Sequence, residues 1–137
     1  MSNTHTLTFT AGPEHIDANG HVNNAVWVRW MEEVATAHWL ADARPQDIAA
    51  YSWIVTRHEI DYRGNIGAGE TVTAVTEVHE PARSVRFDRL ITFRDAAGRQ
   101  VVRAKTTWAL LERATGQLAR VTPELAAPFL PGPEPDA

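Results

Sequence analysis

From Asn24 to about Ala43 the chain carries one long helical pattern, and nearly everything after it repeats with period two. That order constrains the fold more than any other feature. Val28, Met31, Ala35 and Trp39 recur at spacings of three and four and so share one stripe, while Arg29, Glu32 and Glu33 lie away from it. Arg44-Pro45 ends the helix, because the residue before a proline avoids the helical basin, and a loop is expected over 45–51. Before the helix, Leu7-Thr8-Phe9-Thr10 alternates as a short strand closed by Gly12-Pro13. Beyond the loop, β segments are predicted at 52–63, 70–79, 84–95 and 100–112. Ile54, His58, Ile60 and Tyr62 then share one face of the first, and Val85, Phe87, Ile91 and Phe93 one face of the third. Short turns at Gly67-Ala68-Gly69, Glu80-Pro81-Ala82 and Asp95-Ala96-Ala97-Gly98 favour an antiparallel meander.

One strand, one long helix and four more strands hold too few helices for alternating βαβ units, so the class is α+β. Trp27, Trp30 and Trp39 give the helix more aromatic bulk than a single stripe hides, which predicts a curved sheet wrapping it or a subunit partner. At 137 residues the chain fits one domain with one substantial core. That domain is expected over residues 1–130, and Pro131-Gly132-Pro133-Glu134-Pro135-Asp136-Ala137 reads as a loose tail.

A net charge of -4 argues against a nucleic-acid binder, which needs a dense basic face. With no cysteine, thiolate nucleophiles and thiolate-held zinc are excluded. No apolar stretch approaches the length needed to span a bilayer and the first residues form no secretory signal, so no membrane partner and a cytoplasmic location are expected. Ser2, Ser52 and Ser84 lack the G-x-S-x-G surroundings of a hydrolase elbow, and Gly64, Gly67 and Gly69 form no P-loop. His15, Asp17 and His21 could approach one cation from a loop, but without a paired helical histidine no metal and no cofactor are expected.

The run Asp17-Ala18-Asn19-Gly20-His21-Val22-Asn23-Asn24, just before the helix, gathers acid, amide and imidazole groups. Turn chemistry explains part of it: Asp accepts local backbone N–H bonds, Gly takes a positive φ, and Asn23 or Asn24 suits the helix N-cap. The same geometry also suits chemistry. A helix start presents unpaired N–H groups and partial positive charge to a carbonyl oxygen, and an ionised carboxylate beside it can attack the carbonyl or deprotonate water.

Asp17 to Glu33, together with Ile60-Asp61-Tyr62-Arg63 and Gly67-Ala68-Gly69-Glu70, resembles the hotdog-fold thioesterases of the 4-hydroxybenzoyl-CoA and acyl-ACP types. The Asp-x-x-Gly-His-Val-Asn-Asn core, followed by Trp27, Trp30 and Glu33 on the helix, is similar to the family pattern in order and spacing. The resemblance runs from about residue 7 to 125. It implies a β-α-β4 fold, a curved sheet of about five strands around one long helix, with active sites formed between subunits of a homodimer or homotetramer. It also implies hydrolysis of an acyl-CoA thioester with Asp17 as nucleophile or general base; an acyl-ACP thioesterase and a non-catalytic acyl-thioester binding module are the alternatives. Asn19 and His21 stand where the acyl-ACP type adds Asn and His to the catalytic set.

Within that expectation, backbone N–H groups near Asn24 and Ala25 polarise the carbonyl. Trp27 and Tyr62 line the acyl pocket or belong to ordinary core. Asn65, where relatives often carry proline, is read as a substrate-side residue. Arg83, Arg86 and Arg89 either hold CoA phosphates or form a solvated strand face. Glu33 is expected to pair with Arg29 at i+4 rather than to do chemistry.

Overall fold

The computed structural model describes residues 3–78 and 85–130, so the expected tail at 131–137 lies outside the described residues. β1 spans Thr4–Thr10, α1 Asn24–Asp42, α2 Pro45–Ala50, β2 Tyr51–Tyr62, β3 Thr71–Val78, β4 Arg86–Arg94, β5 Gln100–Glu112 and α3 Pro123–Ala126. The five strands form one antiparallel sheet in the order β1-β3-β4-β5-β2, with α1 packed on its inner face, which is the expected α+β hotdog arrangement. No helix among the described residues is long and apolar enough to cross a membrane.

The strand order departs from a simple meander. β3, β4 and β5 follow one another, but β2 pairs with β5 at the far edge instead of with β3. The link 63–70 must therefore traverse three strand spacings, about 14 Å, which eight extended residues exceed easily. A short link in sequence had suggested neighbouring strands, yet it needs only reach. It crosses the end of the sheet and meets the segment before α1, where Val22 N–H donates to Ile66 O at 3.2 Å.

A second difference lies within β2. The register shifts between Val55 and Arg57, and this bulge reverses which side chains point inward. Trp53 before it and Ile60 after it both pack into the core, while Ile54 is 44% exposed. Ile54 therefore does not share a face with His58, Ile60 and Tyr62. The expected loop at 45–51 also contains a helix, α2. Pro45 occupies its first turn, where a missing N–H costs nothing, and Arg44 grips the buried Asp47 with two bonds of 2.8 and 3.0 Å.

The buried stripe of α1 is wider than predicted: Trp27, Trp30, Met31, Val34, His38 and Trp39 are all buried, and Val28 sits at its margin. The sheet covers all three helical tryptophans within one chain, so their bulk does not itself call for a subunit partner. Trp27 is 0% exposed, held edge-on to Trp30 and Phe93 at 5.3 and 5.1 Å. Burying an indole of roughly 200 Å² contributes on the order of 5 kcal/mol before its ordering entropy. A second cluster forms around Trp39, Phe87, Leu110, Leu125 and Phe129. Its Leu125 and Phe129 come from the C-terminal α3 and the 3-10 turn after it, a segment that Thr122 caps by accepting from Leu125 N–H at 3.2 Å. Glu33 and Arg29 are both exposed and form no ion pair.

Candidate active site

The segment before α1 is shaped by short-range hydrogen bonds. Ile16 and Val22 bridge antiparallel, and between them Asp17 N–H donates to His21 O and Gly20 N–H to Asp17 O, both at 3.0 Å. Gly20 takes φ +77, the left-handed value that a side chain would strain. Asp17 Oδ1 accepts from Asn19 N–H at 2.9 Å, the Asx bond that suits aspartate to this position. The other carboxylate oxygen, Oδ2, has no hydrogen-bond partner in the chain, and Asp17 is half-buried. Asn19 and His21 are exposed on the same turn, and their side chains carry no hydrogen bond to the rest of the chain.

Asn23, not Asn24, caps α1. Its Oδ1 accepts from Ala25 N–H at 2.9 Å, while its own N–H donates to His15 O at 2.9 Å. This corrects the expectation for Ala25, whose N–H is taken by the cap and is not offered to a ligand. Asn24 is the first helical residue, and its N–H has no acceptor within the chain. Of the two donors expected at the helix start, one remains.

Asn65 is a clamp for the backbone. Its Nδ2 donates to Val22 O at 3.2 Å, while its Oδ1 accepts from Val22 N–H at 3.1 Å and from Ile66 N–H at 2.8 Å. With every polar atom of its amide engaged, Asn65 holds the crossing link against the Asp17 turn and is a positioning residue, contrary to the substrate-side expectation. The link passes close enough that a Cβ on Gly67 would stand 3.7 Å from Gly20 O.

Trp27 belongs to the core beneath the turn, and its Nε1–H is buried without a partner. It does not line an open pocket. Tyr62, at the end of β2, is 42% exposed, and loss of solvent raises its phenol above the ordinary value. The structure brings Asp17, Asn19, His21, Asn24 and Asn65 into one region, and no hydrogen bond joins Tyr62 to it. His15 lies edge-on to Trp30 at 5.3 Å, with Nδ1 accepting from Gly12 N–H at 3.0 Å. Among the described residues no group of three or more His, Asp or Glu is gathered to hold a metal.

An apolar cavity lies elsewhere. About 210 Å³ in volume, it sits between the second half of α1 and the sheet, lined by Trp39, Trp53, Phe87 and Trp108 among others. From Ala25 to Ala35, the first of its helical residues, is about 15 Å along the helix axis. One chain thus separates the polar turn from the apolar space.

Arg89 also lines that cavity, which overturns both expectations for it. It is 7% exposed, inward-facing between Phe87 and Ile91, so it is neither a solvated strand face nor a surface contact for CoA phosphates. Its Nη1 donates to His38 Nδ1 at 2.8 Å and to Thr76 Oγ1 at 3.3 Å. Because Nδ1 accepts, the His38 proton sits on Nε2, which faces Asp42 Oδ2 at 3.3 Å. Period-two counting through Phe87, Ile91 and Phe93 already places residue 89 inward; the signal was available, overridden by the expectation that arginine stays in water. Arg86 is exposed, and Arg83 lies outside the described residues.

Residues 11–129 match the family model of the thioesterase-like superfamily. No curated protein sequence matches the chain. Among solved structures, an aspartate-to-asparagine variant of 4-hydroxybenzoyl-CoA thioesterase complexed with 4-hydroxybenzoyl-CoA has a TM-score of 0.83, covering 93% of this chain and 99% of that one at 13% identity. A 1,4-dihydroxy-2-naphthoyl-CoA thioesterase from Synechocystis gives 0.77 over 92% and 95% at 14% identity. An acyl-ACP thioesterase from Bacteroides thetaiotaomicron gives 0.81 at 22% identity, covering 98% of this chain but 56% of that one. At such identities the structural likenesses establish the fold, while the family match over most of the sequence establishes kinship: the chain belongs to the thioesterase-like superfamily.

Proposed function

We propose that this protein hydrolyses an acyl-CoA thioester to the free acid and CoA, with Asp17 performing the chemistry. The observation that carries the proposal is the Asp17 carboxylate itself, fixed through Oδ1 by Asn19 N–H with Oδ2 left unengaged, just ahead of the N-terminus of a 19-residue helix. A thioester carbonyl between them has its oxygen at the free Asn24 N–H, where the helix end favours developing negative charge. Oδ2 then attacks the carbonyl carbon, and the acyl-Asp17 anhydride left when CoA departs is hydrolysed by water to the free acid; or Oδ2 takes a proton from a water that attacks the carbonyl directly. CoA departs as a thiolate, whose conjugate thiol has a pKa of about 8 to 9, so no strong general acid is required. Asn19 and His21 are within the same turn and orient the water or the substrate rather than replacing the carboxylate.

A homodimer, or a tetramer of such dimers, completes the site in this proposal. β2 is a 12-residue edge strand with one side unpaired, and it exposes Ile54 and Tyr62, features that favour strand-to-strand association. The cytoplasm is the proposed location. An acyl-ACP substrate presents the same carbonyl and leaving thiolate, so the assay includes both carriers.

The test is thiol release from short, long and aromatic acyl-CoAs and the matching acyl-ACPs, run on the wild type and on Asp17→Asn. Turnover lost by about 10²-fold or more in the variant supports the proposal. Equal turnover by both proteins overturns the role of Asp17. Binding of acyl-CoA without turnover by either makes the protein a binding module.

A further inference from the structure

The buried Arg89 guanidinium has five N–H donors, and Nη1 supplies both of its hydrogen bonds, one to an imidazole and one to a hydroxyl. No carboxylate touches it. The nearest along the chain of bonds is Asp42, one imidazole away, and the other neighbour is the ring of Phe129 at 5.8 Å. Among the described residues Nε and Nη2 have no hydrogen-bond partner. Arg89 keeps 7% of its surface accessible and is one of the residues that line the cavity. Desolvation lowers the guanidinium to about 10, the sign of a cation held where an anion would be welcome.

The rest of the wall is mostly apolar and aromatic, with Thr36, Ser52 and Arg113 as its other polar members. Trp39 and Trp53 meet edge-on at 5.5 Å, and Trp53 and Phe87 lie 5.8 Å apart. Trp108 keeps its Nε1–H on Thr106 Oγ1 at 2.9 Å, so it presents ring and not donor. At the mouth stands Arg113, exposed, its Nε on the carbonyls of Ile48 and Tyr51. A cavity of roughly 150 Å³ suffices to take up benzene, and this one, at about 210 Å³, has room for a ring or short chain with one small polar head.

We propose that this cavity is a binding site for an apolar monocarboxylate, its ring or chain packed among Trp39, Trp53, Phe87 and Trp108 and its carboxylate on the free Nε and Nη2 donors of Arg89. A guanidinium edge matches a carboxylate bidentately, and desolvation by the aromatic walls strengthens the pair. The free acid that hydrolysis releases is one source of such a carboxylate. The site does not depend on the role given to Asp17, because occupancy is read without turnover.

The experiment titrates the wild-type protein with benzoate, hexanoate and the neutral isostere benzamide, following tryptophan fluorescence and heat. Saturable binding of the carboxylates at about 1 mM or tighter, with benzamide at least ten-fold weaker, is expected. Arg89→Gln should weaken benzoate about ten-fold or more and leave benzamide unchanged. If that variant does not fold, the benzoate–benzamide contrast on the wild type still decides. Equal affinity for benzoate and benzamide, or no saturable binding of either, overturns the proposal, whatever the hydrolysis assay returns.

Discussion

The two halves of α1 border opposite kinds of environment. At its N-terminus the polar groups are exposed or half-buried and held by bonds between residues two to four apart: Asp17 with Asn19, Gly20 and His21, and Asn23 with Ala25. Near its C-terminus His38 is buried and bonded to Arg89, 51 residues away, inside a wall assembled from three strands and the chain terminus. The first arrangement leaves a carboxylate oxygen and a backbone donor without partners among the described residues. The second holds a charge out of water in a fixed place. Local bonds shape the turn cheaply, whereas a buried cation needs a whole core to position it.

The largest effect that separates the two ends should come from Asp17→Asn. Asparagine still accepts from Asn19 N–H, so unfolding should shift by no more than about 0.5 kcal/mol. Hydrolysis should nonetheless fall by about 10² to 10⁴-fold, which is about 3 to 5 kcal/mol in barrier height. Paired denaturation curves and steady-state rates check this, and a loss of stability matching the loss of rate would make Asp17 merely structural.

His38→Leu probes the other end. It strips Arg89 of its shorter bond and should cost about 3 kcal/mol of stability in urea titration. Unchanged stability would mean that the cation is compensated without the imidazole.

Asn65→Ala removes all three bonds between its amide and the backbone of Val22 and Ile66, at a cost of about 1 to 3 kcal/mol. Because Asn65 positions the turn instead of binding substrate, kcat should suffer more than KM. A rise in KM alone would restore the substrate-side reading. The smallest effect is expected from Asn23→Ala, about 1 kcal/mol by calorimetry for loss of the cap. A much larger loss would show that the helix end depends on Asn23 for more than its bond to Ala25 N–H.

Much of the fold was legible in the order of periodic segments, because a long amphipathic helix among alternating strands has few ways to bury its stripe. The errors are equally specific. The bulge after Val55 displaced Ile54 from its expected face, since one extra residue reverses every later side chain without leaving a mark in composition. The edge position of β2 escaped notice because the link 63–70 carries ordinary turn residues whether it joins neighbours or crosses a sheet. Asn65 gave little local signal, as its two bonds to Val22 reach 43 residues upstream.

By itself, the sequence determined the Asp17–Gly20 turn, the cap before α1 and the inward register of β4, because bonds and side-chain alternation of this range are properties of neighbouring residues. The tertiary structure alone decided that the crossing link clamps the turn, that the apolar cavity stands apart from it, and that Arg89 faces that cavity beside His38. Those outcomes depend on which surfaces meet when the sheet closes over the helix, and burial changes the energy of a charge or amide by more than any local preference can.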